Sequence, residues 1–74
     1  MTREELKDFV EINDTSFFYN GNEYYIFLLN NGYNVGEYNK EEDLVFKNFD
    51  DMIENWKIKD KPLKKLLDKI ELNY

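Results

Sequence analysis

Two Asn-Gly dipeptides, Asn20-Gly21 and Asn31-Gly32, separate three segments of the chain that are rich in aromatic residues. Asn-Gly supplies the positive φ angles that tight two-residue turns require, so each dipeptide is a strong signal for a β-hairpin. The segment DLVFKN follows the charged turn NKEED and predicts one more strand. The middle of the chain therefore predicts a four-stranded antiparallel β-meander, whose first three strands span residues 15–20, 23–30 and 33–39.

The second of these strands contains YYIFLL, which is apolar at every position, whereas YNVGEY in the third strand alternates. Because successive side chains in a strand point to opposite faces, YYIFLL places three apolar side chains on each face of the sheet. This is typical of a strand that is at least partly covered on both faces. One face carries Tyr24, Ile26 and Leu28, and the other carries Tyr25, Phe27 and Leu29. Gly36 predicts a bulge, or the close approach of backbone or of a large ring.

A short helix is predicted at the N-terminus. Thr2 and Glu5 have the spacing of a capping box, in which each residue caps the backbone of the other. The apolar residues that follow have helical spacing, namely Leu6, Phe9 and Val10. These signals favour a helix to about residue 10. The alternative is a strand in FVEIN, where Val10 and Ile12 alternate with an acidic residue.

Helical spacing returns in the last third of the chain, where two short amphipathic helices are predicted. The first has Asn48 as its N-cap, and its apolar stripe comprises Phe49, Met52, Ile53 and Trp56. Pro62 begins the second, whose stripe comprises Leu63, Leu66, Leu67 and Ile70. The predicted fold is therefore a single α+β domain over residues 1–74: an N-terminal helix, a four-stranded antiparallel meander and two C-terminal helices on one sheet face.

Composition excludes several classes of function. The 74 residues include no Cys and no His, which excludes disulfides, zinc fingers and iron–sulfur clusters, and we expect no cofactor. The sequence also lacks a Gly-rich phosphate loop and a nucleophile elbow, so we do not expect an enzyme. No apolar run approaches the roughly 20 residues that span a bilayer, and the charged start MTREELKDFV does not resemble a signal peptide. We therefore expect a cytoplasmic protein that binds no membrane.

The charges divide the chain into an acidic middle and a basic end. Residues 57–74 carry six lysines against three acidic residues, although the chain has a net charge of −6. The segment has no arginine and the net charge has the wrong sign, which disfavours nucleic acid as a partner. We interpret the lysines as the solvated side of a terminal helix.

Seven carboxylates within eighteen residues form a candidate acidic patch: Glu37, Glu41, Glu42, Asp43, Asp50, Asp51 and Glu54. A surface of this kind could imitate a phosphate backbone and block a protein that binds nucleic acid. Solvated turn and helix surfaces are the simpler interpretation. The acidic residues do not form the twelve-residue loop of a calcium site, so no metal is predicted.

Five tyrosines of the meander are candidates for a partner-binding sheet face: Tyr19, Tyr24, Tyr25, Tyr33 and Tyr38. Tyrosine is enriched in interfaces because its ring is buried while its hydroxyl stays hydrated. Core and half-buried sheet positions are the simpler interpretation. The function we predict is a non-catalytic protein–protein interaction module, whose partner is another protein or a second copy bound through a sheet face or edge. The alternative is an acidic inhibitor that mimics nucleic acid.

The segment FKNFDDMIENWKIKDKPLKKLLDKIEL resembles the C-terminal pattern of small uncharacterised proteins from low-GC Gram-positive bacteria and their phages and mobile elements. The residues that carry the resemblance are Phe49, Asn55, Trp56, Ile58, Lys61 and Leu63. The resemblance implies a bacterial or phage origin, and it implies no catalytic residues.

Overall fold

The computed structural model describes residues 1–72, which form an α+β fold. The helices are α1 (Arg3–Ile12) and α2 (Phe49–Asn55), and a 3₁₀ turn covers Leu63–Lys65. The strands are β1 (Thr15–Tyr19), β2 (Asn22–Leu29), β3 (Gly32–Glu37), β4 (Asp43–Phe46), β5 (Lys57–Ile58), β6 (Lys61–Pro62) and β7 (Glu71–Leu72).

The predicted meander is confirmed, and the sheet that contains it gains a fifth strand. The strand order is β4-β3-β2-β1-β7, and each neighbouring pair is antiparallel. The added strand, β7, comes from the end of the described chain and pairs Leu72 with Phe17 of β1. Strands β5 and β6 form a separate two-stranded hairpin.

The two predicted hairpin turns differ in detail. In the first, Asn20 and Gly21 form the turn with φ angles of 52° and 82°, as the dipeptide predicts. In the second, the turn lies one residue earlier than predicted, at residues 30 and 31, and Gly32 pairs with Leu29 at a φ angle of 121°. Glycine suits this position because a Cβ atom there would also clash with the carbonyl oxygen of Phe46 in β4.

The capping box at the N-terminus is confirmed. The backbone N–H of Glu5 donates to the Thr2 hydroxyl at 3.1 Å, and the backbone N–H of Thr2 donates to Glu5 Oε1 at 2.8 Å. The hydrogen bond from the Thr2 backbone lowers the pKa of Glu5. Helix α1 continues to Ile12, so the alternative strand in FVEIN is wrong.

The first predicted C-terminal helix is confirmed as α2, which Asn48 caps by accepting a hydrogen bond from the Asp51 backbone N–H at 2.7 Å. The second predicted helix is wrong. After α2 the chain forms the β5–β6 hairpin, whose turn residues Lys59 and Asp60 have φ angles of 50° and 70°. Pro62 then ends β6 instead of beginning an α-helix.

Three members of the predicted apolar stripe, Leu63, Leu66 and Ile70, are buried without an α-helix, and Leu67 is partly buried. Leu66 donates its backbone N–H to Leu63 at 2.8 Å, a bond between residues three apart, and Lys69 does the same to Leu66. Side chains three residues apart align in such turns, so the spacing that suggests a helix also buries Leu63 and Leu66 in a shorter structure. The chain then reaches the free side of β1, where β7 forms. The six lysines of the basic end of the chain, between residues 57 and 69, are all exposed.

One hydrophobic core lies between the sheet and the segments packed on it. It comprises Leu6, Val10, Phe17, Tyr24, Ile26, Tyr33, Val35, Phe49, Met52, Ile53, Trp56, Ile58, Leu63, Leu66 and Ile70. The residues contributed by β1, β2 and β3 pair across strands, so they lie on one sheet face. Both helices and the C-terminal turns therefore cover the same face. Within residues 1–72, no helix has the length and apolar content to cross a membrane.

Two nearby residues of the C-terminal turns are expected to contribute very differently to the free energy of unfolding. Leu66 has no exposed surface, so we expect Leu66→Ala to lower the free energy of unfolding by about 2–5 kcal/mol because it leaves a cavity. Lys64 is half exposed and pairs with Glu54 at 2.7 Å, so Lys64→Ala is expected to cost about 1 kcal/mol or less. Urea denaturation of both variants tests the assignment, and equal losses would contradict it.

The buried tyrosines predict a loss of stability in alkali. Burial is the main cause that raises the pKa of Tyr24 and Tyr33 above the ordinary 10.0, with smaller contributions from Glu37 and Glu11 respectively. These phenols deprotonate first in the unfolded chain, so their contribution is full below pH 10.0 and is lost as the pH rises through their folded pKa values.

We therefore expect the urea midpoint to fall more steeply above pH 10.0 in the wild type than in a Tyr24→Phe/Tyr33→Phe variant. Deprotonation of lysines affects both proteins equally, so the comparison isolates the two phenols. Parallel pH profiles for the two proteins would refute this prediction.

Candidate interaction surface

The sheet face opposite the core, here called the open face, is covered by neither helix. The strand register places on it Ser16, Phe18, Glu23, Tyr25, Phe27, Leu29, Asn34, Gly36, Asp43, Val45 and Glu71. Tyr38, which follows β3, joins this face because its ring contacts the ring of Tyr25 with centroids 5.3 Å apart.

The open face is more apolar than a solvent-facing sheet needs to be. Four of its large apolar side chains are exposed: Phe18 by 42%, Leu29 by 55%, Tyr38 by 39% and Val45 by 48%. The water-facing side of an antiparallel sheet is normally polar. A group of exposed apolar side chains on one surface is typical of an interaction site.

Tyr25 lies at the centre of this face. Its ring stacks on Phe27 with centroids 5.0 Å apart and also covers Gly36 on the neighbouring strand, with which Tyr25 is paired. A Cβ atom at Gly36 would lie 2.5 Å from the Tyr25 hydroxyl oxygen. The prediction that a large ring approaches Gly36 closely is thus confirmed, and the register of β2 and β3 contains no bulge.

The charged residues that the strands place on the open face are all acidic, and Lys47 follows β4 at the margin of this face. The acidic residues are Glu23, Asp43 and Glu71, and no Lys or Arg occurs within β1, β2, β3, β4 or β7. Burial is the main cause that raises the pKa of Tyr25, and the nearby Asp43 carboxylate adds to it. The Tyr25 hydroxyl is therefore neutral at pH 7 and is able to donate a hydrogen bond.

The structure does not bring the five candidate tyrosines together, because neighbouring positions in a strand face opposite ways. Tyr24 and Tyr33 are buried in the core, and Tyr19 packs partly against it. Tyr25 and Tyr38 lie on the open face. Phe18 and Val45 also lie on the open face and are not among the predicted residues, because residue type alone selects the tyrosines. The positions of Phe18 and Val45 in the alternation of β1 and β4 could have indicated them.

The seven candidate carboxylates also divide among different surfaces. Asp43 lies on the open face, and three others line a groove on the opposite side of the sheet, namely Glu37, Glu41 and Glu42. The remaining three belong to α2, and each has a partner. Asp50 pairs with Arg3, Glu54 pairs with Lys64, and Asp51 accepts a hydrogen bond from Asn55 Nδ2 at 2.5 Å.

The groove has a volume of about 710 Å³ and lies between residues 39–42 and the start of the β5–β6 hairpin. Its apolar walls include Tyr24, Leu44, Trp56 and Ile58. Its rim carries charges of both signs, from the three carboxylates and from Lys40, Lys57 and Lys59. In the described part of the chain, no cluster of three or more acidic residues is arranged to hold a metal ion.

Comparisons of the chain with models of known protein families, with curated proteins and with solved structures give no match. The resemblance of the C-terminal third to small bacterial and phage proteins stays a prediction.

The contact between Tyr25 and Gly36 predicts an energetic coupling between the two positions. We expect Gly36→Ala to destabilise the wild type by about 1 kcal/mol, because the new methyl group displaces the tyrosine ring. In a Tyr25→Ala background the same change is expected to be neutral or stabilising, because alanine is better than glycine in a strand. A double-mutant cycle by urea denaturation measures the coupling, and additive effects would show that the ring does not cover Gly36.

Proposed function

We propose that this protein is a non-catalytic protein–protein interaction module that binds a partner protein on its open face. The observation that carries the proposal is the exposure of Phe18, Leu29, Tyr38 and Val45 on a sheet face that no helix covers. Tyrosine and other aromatic side chains are the usual anchors of protein interfaces. The stacking of Tyr25 on Phe27 supports the same proposal, because an anchor held in place loses little side-chain entropy on binding.

The charges of the open face favour a partner that supplies positive charge. Asp43 and Glu71 carry negative charge on this face, and its strands contain no Lys or Arg. Two copies of the chain stacked face to face would place like charges opposite one another, which disfavours self-association through this face. We therefore propose a different protein as the partner, with an apolar centre and Lys or Arg around it. The long stems and cationic ends of these side chains pack well on tyrosine rings.

The alternative function, an acidic inhibitor that mimics nucleic acid, has less support. Such a mimic needs carboxylates arrayed on one surface, as phosphates are along a duplex. The seven candidates lie on different surfaces, and Asp50 and Glu54 are already neutralised by Arg3 and Lys64. Glu41 and Glu42 remain exposed beside the groove, and two carboxylates are a small part of such an array.

A pair of matched variants tests the proposed function by affinity capture from cells of the native host. Phe18→Lys/Leu29→Lys places positive charge on the open face at two exposed positions. Ile12→Lys, a single substitution, introduces a lysine in place of an exposed apolar residue on α1, where Ile12 is 81% exposed. We expect the wild type and the Ile12 variant to retain the same partner and the open-face variant to lose it by at least about tenfold.

Circular dichroism of all three proteins checks that the fold is intact. Because the open face is acidic, we also expect the captured complex to weaken as salt concentration rises. Equal recovery of partners by the wild type and the open-face variant would rule out binding through this face.

A further inference from the structure

Strand β4 is the end strand of the five-stranded sheet, and no strand of residues 1–72 pairs with its outer side. It pairs with β3 alone in the strand order, so the backbone groups on its outer side face no strand of the described chain. Proteins usually protect such an edge with a lysine or proline in the strand, or with a bulge. Strand β4, Asp-Leu-Val-Phe, is short and begins with a charged residue, but it contains no lysine, proline or bulge, and its register with β3 is regular. Leu44 and Val45 are 51% and 48% exposed.

The charges at the two ends of β4 have opposite signs. Asp43 is its first residue and Lys47 follows its last one. In the described residues neither Asp43 nor Lys47 forms an ion pair. An antiparallel partner places the beginning of one strand beside the end of the other. Two copies of β4 therefore bring each aspartate to the lysine of the other copy.

The geometry of strand pairing selects one register. Residues that face each other across an antiparallel pair lie on the same sheet face, so a two-fold symmetric pair of strands is centred on one residue facing its own copy. Centring on Val45 places Asp43 opposite Lys47 of the second copy, twice per dimer. It also places Leu44 opposite Phe46 of the second copy. Centring on Leu44 places Asp43 opposite a valine and leaves the aspartate unmatched, and Lys47 then faces only Glu41, which lies before β4.

We propose that the protein forms a two-fold symmetric dimer through β4, centred on Val45, in which the two sheets join into one. The two-fold axis is perpendicular to the sheet, so both open faces lie on the same side and adjoin each other. This dimer uses the sheet edge and not the open face, so it does not rest on the proposed function. It would give that function two adjacent binding surfaces. Since a short edge buries little area, the affinity between copies is modest.

Sedimentation equilibrium over a series of protein concentrations, up to the millimolar range, tests the dimer and its register. We expect the wild type to dimerise. Asp43→Lys and Lys47→Asp each create two like-charge contacts, so each variant alone is expected to dimerise about tenfold or more weakly. The double variant Asp43→Lys/Lys47→Asp restores opposite charges and is expected to dimerise like the wild type.

A mixture of the two single variants gives the sharpest result. When Asp43→Lys pairs with Lys47→Asp, both contacts join opposite charges, so an equimolar mixture is expected to form a heterodimer although each variant alone dimerises weakly. Glu42→Lys is the matched control, since it changes the net charge as Asp43→Lys does. Position 42 faces Asn48 in this register, so we expect this control to dimerise.

Two outcomes would overturn the proposal: a wild type that stays monomeric at every concentration, or a dimer whose affinity none of these variants changes. Circular dichroism separates loss of pairing from loss of folding, and the double variant and the mixture keep the test valid if one single variant unfolds. A monomeric wild type would not contradict the proposed function of the open face, because that function is tested separately at Phe18 and Leu29 on other strands.

Discussion

Three aromatic rings pack against one another at the centre of the core, and the rest of the structure depends on their contact. Phe17 and Tyr24 face each other across β1 and β2 with ring centroids 5.5 Å apart. Trp56, just after α2, meets both rings edge-on at 5.9 and 6.2 Å. The chain contains no Cys or His, so this cluster provides stabilisation that disulfides or metal ions provide in other small domains. It joins the first hairpin to the last third of the chain and decides which sheet face is covered.

Because both helices and the C-terminal turns are needed on that one face, nothing in residues 1–72 covers the other. Strand β2 nevertheless carries apolar side chains on both faces: Ile26 in the core, and Tyr25, Phe27 and Leu29 on the open side. A small domain gains stability from such a strand, and the second apolar face remains available for binding. The proposed edge pairing concerns a separate constraint, the unpaired outer side of β4.

The sequence predicted those features whose causes are local. The capping box at Thr2, the Asn20-Gly21 turn and the ring over Gly36 each depend on residues close in sequence or directly paired. The second C-terminal helix was predicted wrongly because the spacing of Leu63 and Leu66 suits a 3₁₀ turn equally well. The pairing of β7 with β1 joins residues far apart in the chain, which local periodicity cannot reveal. For the candidate surface, residue type suggested Tyr24 and Tyr25 equally, and strand alternation separates them.

The central claim is that one sheet face is covered and the other is open to a partner. Side-chain NMR with a soluble paramagnetic chelate measures this directly, because the probe broadens only signals that solvent reaches. At protein concentrations too low for self-association, we expect the signals of Leu29, Tyr38 and Val45 to broaden about as much as that of Ile12. The signals of Phe17 and Ile26 should stay sharp. Equal protection of Leu29 and Ile26 would contradict the claim, because it would mean that the open face is buried within a single chain.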